Sequence, residues 1–457
     1  MAPGDAAAWC ERARRLRAAQ DMPGALAAIT RAAALDPGDG LIALLRAQTA
    51  YELGYPAAGL YAEAQRLAPG NPDVLRNRAL ALASEGEEQA AQALLAAALA
   101  ERPEWLDGQR VLAALRFTSG EREHFDAGFA AAVRARPRHQ GLWLGWFGAI
   151  AQQREWPRAE AILDAAAAQL GETRSFAIAR AFVASESGRL DEALARLAAL
   201  DGARDGFLDL CRIRTLLRAG RPDDASVLAL PLTQTPLAGQ VWPYLSTCWR
   251  LCGDARADWL DGDPLRHADL DLGFSEAELA ELAGLLRGLH TARAPYPEQT
   301  ARGGTQTDRS VLLRHEPALQ AARRRLLDGV RSFVAGLAPA DPRHPTLSRR
   351  RDDLQISGSW SVRLGAGGYN VAHSHPLGWL SAVFYVALPA DPGPMPAGAL
   401  QLGAPPAELG LDLGPCVTIA PRAGRLVVFP SILWHATVPI AAGERLNIAF
   451  DVVPAQG

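Results

Sequence analysis

Two stretches near the carboxyl end of the chain decide its fold: residues 367–389 read GGYNVAHSHPLGWLSAVFYVALP, and residues 424–453 read GRLVVFPSILWHATVPIAAGERLNIAFDVV. Both contain short β-type runs that are bounded by glycine and proline. Runs with a period of two are typical of strands that bury one face. They recur at 360–364, 380–388, 417–420, 425–430, 433–438 and 445–453, with a Pro/Gly-rich loop at 389–415. The pattern predicts an all-β core over residues 354–457.

The histidines of these stretches are the first candidates for chemistry. The chain has nine histidines, and His373 and His375 stand two apart on a predicted strand. Both side chains therefore point to the same face, which is a metal-ligand geometry. His435, on a later strand, is the candidate third ligand. Three ligands on one side of an ion leave other positions open.

Arg445 follows His435 by ten residues, past a turn. Alternation along this strand places Arg445, Asn447 and Asp451 on one face and the apolar residues between them on the other. If the apolar face packs outward against helices, Arg445 points into the interior. A guanidinium there needs an anionic partner, and a carboxylate matches its planar fork. The distal carboxylate of 2-oxoglutarate is such an anion.

Helices precede this β-rich region. The stretch SEAELAELAGLLRGLHTA begins at Ser275, which can cap a helix while Glu278 closes a capping box. A second amphipathic helix is expected at about 316–337, after the loop QTARGGTQTD at 299–308. We expect a domain boundary near residue 260, with a second domain at 261–457, a helical lead-in at 275–340 and the β core at 354–457.

The N-terminal half shows an internal period. Pro37, Pro69, Pro103 and Pro137 are separated by 32, 34 and 34 residues, and each closes an alanine-rich helical stretch. Small or apolar residues recur before the prolines where two helices of a pair would touch: Ala13, Ala25, Ile29 and Ala32, then Ala79, Ala91, Leu95 and Ala98. The segment resembles the tetratricopeptide repeat (TPR) family over roughly residues 6–255, which predicts an all-α solenoid of six or seven units within residues 1–260.

Composition places few limits on function. The 457 residues are 49% hydrophobic and 21% charged with a formal net charge of −3, which gives no reason to expect nucleic acid as a partner. We expect no membrane partner, since no apolar stretch reaches the length of a membrane span, and the start lacks a secretory signal pattern. The five scattered cysteines indicate neither a disulfide framework nor a zinc ribbon. A cytoplasmic protein is the expectation.

The C-terminal region resembles the Fe(II)/2-oxoglutarate-dependent dioxygenases, and within them a bacterial and phage subgroup. The resemblance covers roughly residues 275–457 and is carried by QTARGGTQTD, by the His-X-His stretch and by the stretch that ends in RLNIAFDV. It implies a double-stranded β-helix (jelly-roll) fold with Fe(II), 2-oxoglutarate and O2 as cofactors. It also implies that His373 is the first iron ligand, His435 the distal one, and Arg445 the 2-oxoglutarate anchor.

His375 departs from the general pattern of these dioxygenases, because most members have a carboxylate two residues after the first histidine. Three explanations stay open: His375 is itself a ligand, a water fills the place, or a carboxylate comes from elsewhere. Halogenating members vacate this position, and an imidazole does not, so hydroxylation is favoured. A three-histidine site carries less anionic charge, so zinc or nickel could compete with iron.

Further 2-oxoglutarate contacts are expected from residues on the relevant strands: Trp360, Ser381, Tyr385 and Asn447. Repeat arrays also occur in prolyl and aspartyl/asparaginyl hydroxylases, which favours hydroxylation of a peptide or protein side chain held by the TPR domain. One alternative is an oxygenase acting on a free amino acid or a small biosynthetic intermediate. Another is a non-catalytic TPR adaptor with a degenerate oxygenase domain. The sequence leaves the substrate and the oligomeric state open.

Overall fold

The computed structural model describes residues 5–455 except 201, 203, 204, 263 and 264. The chain forms two compact units. The first comprises residues 1–153, 291–297 and 308–322, and the second comprises 154–290, 298–307 and 323–457. Each unit therefore includes parts of both predicted domains, and the predicted boundary near residue 260 stays a prediction.

Helices occupy the N-terminal half of the chain. Within the described residues up to 262, fourteen helices form seven successive pairs, followed by α15 and α16. They are α1 Ala6–Ala18, α2 Met22–Leu35, α3 Gly40–Glu52, α4 Ala58–Leu67, α5 Pro72–Ser84, α6 Glu88–Glu101, α7 Leu106–Thr118, α8 Ala127–Ala135, α9 Gln140–Gln152, α10 Trp156–Leu170, α11 Arg174–Glu186, α12 Leu190–Ala199, α13 Gly206–Arg218, α14 Pro222–Leu232, α15 Ala238–Cys252 and α16 Arg256–Asp261. The predicted helical repeat array is confirmed.

Seven of the eight predicted contact positions of the repeats are buried, and Ala98 is partly exposed. Ala25, Ile29 and Ala32 of α2 have no exposed surface, and the same holds for Ala91 and Leu95 of α6. Alanine at these places lets the helix backbones approach closely. Helix starts are set by local hydrogen bonds, as at Asp39, whose carboxylate accepts from the backbone N–H groups of Leu41 and Ile42. Periodic small residues and caps together explain the succession of short helices.

The first unit contains a cavity between its first helices and the later segment 308–313. The cavity has a volume of about 610 Å³ and is lined mainly by α1, α3 and the segment 308–313, with smaller contributions from α2, α4 and α5. Arg309 of this segment donates to the Tyr51 carbonyl at 3.3 Å and lies over the Tyr51 ring. His315 stacks on Tyr55 with ring centroids 4.0 Å apart. The first repeats thus already contact an internal segment of the chain.

The C-terminal region is built from two antiparallel sheets. Its strands are β1 Ala268–Asp271, β2 Ala301–Gln306, β3 Leu354–Asn370, β4 Leu380–Ala387, β5 Leu400–Leu402, β6 Val417–Ile419, β7 Arg425–Pro430, β8 His435–Thr437 and β9 Arg445–Pro454. The larger sheet has the order β1-β7-β4-β9-β3-β2, and the smaller has the order β6-β5-β8. This is the predicted double-stranded β-helix.

Three strands fall outside the predicted runs. Strand β2 lies in the stretch expected to be a loop at 299–308, β5 lies in the loop predicted at 389–415, and β1 precedes the predicted β region. The sequence of β2, ARGGTQ, has little β-branched or aromatic character. Its pairing with β3 contains a register shift between Arg302 and Gly304, and Gly303 has a φ of +66°. Pairing with β3 stabilises such a strand. Its own sequence has no period of two that would predict it.

Two helices cover the larger sheet. α17 Glu276–Leu289 and α18 Pro317–Ala335 agree closely with the predicted helices, and the capping box of Ser275 and Glu278 is present. α17 packs against β4. A Cβ at Gly329 of α18 would lie 2.8 Å from Leu426 of β7, so the glycine lets this helix lie close to the sheet. The helices shield the apolar face and leave the polar face of β9 turned inward.

Helix α15 of the repeat region packs on the β domain within the second unit. The indole N–H of Trp434 lies 3.0 Å from the Pro243 carbonyl and 3.0 Å from the Thr247 hydroxyl. A Cβ at Gly239 would lie 2.1 Å from the carbonyl oxygen of Pro376, so only glycine permits this approach. Trp434 precedes His435, and Pro376 follows His375. Two candidate ligand positions are therefore supported from α15.

No helix among the described residues is long and apolar enough to cross a membrane.

His290 at the end of α17 generates a pH prediction. Its ring nitrogens lie 2.7 Å from the Thr305 hydroxyl and 2.9 Å from the Ser361 hydroxyl, and burial lowers its pKa to about 4. Below about pH 6.5 the unfolded chain binds a proton at His290 that the folded chain does not bind. We expect this group to reduce the free energy of unfolding by up to about 1.4 kcal/mol per pH unit as the pH falls from about 6.5 to about 4.

Urea denaturation at several pH values checks this expectation. In His290→Gln the loss of stability between about pH 6.5 and about pH 5 should be smaller than in the wild type, because glutamine does not titrate. An equal slope in both proteins would contradict the buried neutral state of His290.

Candidate metal centre

Backbone pairing places His373 opposite His435. The two residues form an isolated antiparallel bridge, in which the His373 N–H donates to the His435 carbonyl at 3.0 Å and the His435 N–H donates to the His373 carbonyl at 2.8 Å. Directly opposed residues in such a pair point their side chains to the same face. The centroids of the two imidazole rings lie 4.1 Å apart. The bridge connects the chain after β3 to β8.

His375 completes the cluster. Its backbone N–H donates to the Ser431 carbonyl at 2.9 Å, and its ring centroid lies 5.0 Å from that of His373 and 4.8 Å from that of His435. One ring nitrogen from each of the three histidines lies within 4.8 Å of the other two. In the part of the chain that the structure describes, this cluster of possible ligand atoms contains no carboxylate.

Hydrogen bonds at Nδ1 orient all three rings. The Nδ1 atom of His373 lies 2.8 Å from the Val371 carbonyl, and that of His435 lies 3.0 Å from the Leu433 carbonyl. A carbonyl can only accept, so each Nδ1 carries the proton and each Nε2 carries a lone pair. The Nδ1 atom of His375 lies 2.7 Å from Asp451 Oδ1, which places the proton on Nδ1 in the same way. Three Nε2 lone pairs are thus available in one place.

Burial keeps the inner rings neutral. Burial and the neighbouring His375 ring lower the pKa of His373 to about 3. Burial holds the pKa of His435 well below its ordinary range, and the nearby rings of His373 and His375 lower it further. A metal ion binds the neutral imidazole, so both rings are held in the form that a metal needs.

Arg445 lies in the same interior. The side chain is 1% exposed, and burial lowers its pKa. It forms no ion pair with any described residue, and its Nε atom lies without a hydrogen-bond partner in the described structure. Its guanidinium carbon lies 5.1 Å from the centroid of the Tyr385 ring. A buried guanidinium without a carboxylate is costly, which indicates a site for an anionic ligand.

The histidines and Arg445 line one cavity of about 320 Å³. Three of the expected contact residues, Trp360, Ser381 and Asn447, also line it, whereas Tyr385 does not and instead lies next to Arg445. The Asn447 Oδ1 atom and the Tyr385 hydroxyl have no hydrogen-bond partner among the residues described. These unpaired polar atoms around Arg445 suit a small polar ligand.

Other residues of the cavity were not expected from the sequence. Val383, Leu400 and Phe429 form an apolar wall, and a second group of polar residues lies on the side of β2 and the end of β3: Glu298, Gln299, Thr300, Gln306 and Asn370. Residues 299–306 belong to the stretch that was expected to be a loop. Alternation along β9 predicts that Asp451 lies on the interior face of the strand but predicts no role for it. Strand alternation alone pointed to that face, and contact with His375 depends on the fold.

Comparison with known proteins agrees with this geometry. Residues 358–451 match the model of the family described as "Putative 2OG-Fe(II) oxygenase". A search of the curated proteins found no match to the chain.

Solved structures resemble the two parts of the chain. A tetratricopeptide repeat protein from Parabacteroides merdae has 16% identity over 55% of this chain and 99% of that chain, with a TM-score of 0.35. A prolyl-4-hydroxylase from Pseudomonas putida has 19% identity over 43% of this chain and 96% of that chain, with a TM-score of 0.29. HygX from Streptomyces hygroscopicus, solved with nickel, 2-oxoglutarate and hygromycin B, has 13% identity over 42% and 84% of the respective chains, with a TM-score of 0.28. The family match makes the C-terminal region similar to the 2-oxoglutarate-dependent iron oxygenases over residues 358–451.

Proposed function

We propose that the chain is an Fe(II)/2-oxoglutarate-dependent dioxygenase that hydroxylates its substrate. His373, His375 and His435 hold Fe(II) through Nε2, and Arg445 binds the distal carboxylate of 2-oxoglutarate. The observation that supports this proposal most strongly is the shared cavity: three converging imidazoles and a buried arginine without an ion pair in the described structure line the same 320 Å³ space.

The residues present fit both groups. Imidazole nitrogen is a suitable ligand for iron, and three of them on one side leave positions for a chelating cosubstrate and dioxygen. The Arg445 Nε atom, which has no hydrogen-bond partner among the described residues, offers a hydrogen bond to a carboxylate, and the Tyr385 ring lies next to the same guanidinium. When bound, iron and 2-oxoglutarate supply the oxidation, with succinate and carbon dioxide as products.

The chain itself contributes orientation and the exclusion of water. Hydrogen bonds at Nδ1 hold the imidazole rings, and Arg445 fixes one end of the cosubstrate. The apolar wall of Val383, Leu400 and Phe429 keeps the interior dry, which strengthens the pairing of Arg445 with a carboxylate. The cavity volume suits a small molecule or a single projecting side chain.

We propose a peptide or protein side chain as the substrate, held in part by the helical repeats. The first-unit cavity supports this choice, because charged and polar side chains of α1, α3 and α5 line it beside the internal segment 308–313. The alternative substrate is a free amino acid or small biosynthetic intermediate, which the C-terminal cavity alone would accommodate. A non-catalytic adaptor is less consistent with an intact set of histidines and an unpaired Arg445.

Loss of His435 should abolish turnover. We expect wild-type protein to form succinate in a manner that depends on Fe(II) and 2-oxoglutarate, even without added substrate. His435→Ala should lower this rate at least about 100-fold, because the metal ion loses one of its three proposed protein ligands. Succinate is measured by mass spectrometry, with the exposed His124→Ala as a control that retains the wild-type rate. Absence of iron-dependent and 2-oxoglutarate-dependent turnover in the wild type under all conditions would refute the proposal.

Arg445→Gln should weaken 2-oxoglutarate binding specifically. Loss of a charge-assisted hydrogen bond costs about 1.5–3 kcal/mol, which corresponds to an increase of about 10-fold to 150-fold in the apparent Kd for 2-oxoglutarate. Calorimetry with Ni(II)-loaded protein measures this constant. Arg425→Gln is the matched control, because Arg425 begins strand β7 of the same sheet and already pairs with Asp269. Equal effects of the two substitutions would argue against Arg445 as the anchor.

The role of the repeats is tested with a charge reversal. Deletion of residues 1–255 is unsuitable, because it removes α15 and the contacts of Trp434. Arg14→Glu reverses a charge in the first-unit cavity, and Arg31→Glu makes the same change on α2 outside its lining. For a protein substrate we expect Arg14→Glu, but not Arg31→Glu, to change KM several-fold while substrate-free succinate formation stays constant. An unchanged KM for the true substrate would remove this part of the proposal.

A further inference from the structure

We infer that Asp451 is a positioning residue that acts through His375 and supplies the negative charge which a metal-bound carboxylate would otherwise provide. This inference rests on the proposed function, in particular on His375 as a metal ligand. It concerns a residue that lies one hydrogen bond behind the metal centre and does not itself line the cavity.

Two polar side chains contact the Asp451 carboxylate, and a third contacts one of these two. Asp451 Oδ1 accepts from His375 Nδ1 at 2.7 Å and from the Ser381 hydroxyl at 2.6 Å. The Ser381 and Ser431 hydroxyl oxygens lie 2.9 Å apart. Proton placement is consistent if Ser431 donates to Ser381, Ser381 donates to Asp451, and His375 donates from Nδ1. The carboxylate is then an acceptor only, and His375 keeps its lone pair on Nε2.

The fold provides space for this arrangement. Asp451 is paired with Ser381 in the β4–β9 register, so the two side chains are directly opposed across the sheet. A Cβ at Gly378 would lie 2.5 Å from the Ser431 hydroxyl oxygen and 3.2 Å from Asp451 Cγ. Glycine at position 378 therefore allows the buried carboxylate and its serine partner to lie beside the loop that follows His375.

His375 differs from the other two histidines in the charge of its partner. The Nδ1 groups of His373 and His435 donate to neutral backbone carbonyls, whereas that of His375 contacts a carboxylate that is 8% exposed. A carboxylate behind a metal-bound imidazole fixes its tautomer and raises its basicity. It also offsets part of the charge of a buried divalent cation that has only neutral ligands. His375 and Asp451 together can therefore stabilise the positive charge of the metal ion as a directly bound carboxylate would.

Asp451→Asn tests the inference with little change in volume. The amide has no net charge, and its NH2 group can turn towards His375 Nδ1, which would favour the tautomer that lacks the Nε2 lone pair. We expect the affinity for Ni(II) and Co(II) to fall about 10-fold to 100-fold, as is typical when the partner of a metal-bound histidine is removed. Ser381→Ala, which removes the other donor to Asp451, should lower the affinity in the same direction by a smaller factor. Both affinities are measured by competition with a chelating dye.

The controls separate a positioning role from a structural one. Asp269→Asn removes a carboxylate that pairs with Arg425 at 2.9 Å, and it should leave metal affinity unchanged. A purely structural role would lower the Tm of the metal-free Asp451→Asn protein but leave its metal affinity and the Co(II) absorption spectrum as in the wild type. That outcome would overturn the inference.

The inference and the proposed function fail in different ways. If His435→Ala loses metal while Asp451→Asn binds it with wild-type affinity, the role of Asp451 is wrong and the metal centre stands. If neither the wild type nor any variant binds one metal ion per chain, the proposed function itself is wrong. Asp451→Glu adds a further check, because a retained charge with a displaced oxygen should restore part of the affinity that Asp451→Asn loses.

Discussion

The pairing of strand β9 on both edges is the constraint on which the candidate site depends. It pairs with β3 from Arg445 to Pro454 on one side and with β4 from Leu446 to Val452 on the other. A shift of one residue would turn every side chain to the opposite face. The observed register turns Arg445, Asn447 and Asp451 towards the cavity side while Leu446 and Ile448 are fully buried on the other. One strand thus carries the proposed cosubstrate anchor and the carboxylate behind His375.

A second constraint comes from the hydrogen-bonded bridge between His373 and His435. Backbone pairing sets the separation of the two residues, and both rings lie on the same side of the pair. His375 lies two residues further on and is held by Ser431 through the backbone and by Asp451 through the ring. Backbone hydrogen bonds and ring hydrogen bonds thus fix the positions of the three imidazoles together.

Helix α15 of the repeat region is packed against the β domain. Within the second unit, α15 contacts the segments on either side of the metal centre through Trp434 and Pro376. Arg250 of the same helix donates to the carbonyls of Gly403 and Gly414. These hydrogen bonds satisfy loop carbonyls that strand pairing leaves open. Helix α15 therefore contacts the residues next to His375 and His435, Pro376 and Trp434.

The sequence by itself determined the local features. Proline spacing and small residues predicted the helical repeats, the period of two predicted the main strands, and the capping residues Ser275 and Glu278 predicted α17, because each of these signals depends on near neighbours in the chain. The same alternation selected His373, His375, His435 and Arg445 as candidates. Their assignment as ligands stays a prediction, although the fold brings all four to one cavity.

Only the tertiary structure decided the rest. Strands β2 and β5 form because a partner strand stabilises residues of low β-propensity, and the contact of Asp451 with His375 joins residues that are 76 positions apart. The support of Trp434 by α15 likewise joins distant segments. Such contacts depend on which strands are neighbours and in which register, and sheet order is set by the packing of the whole domain rather than by any local pattern.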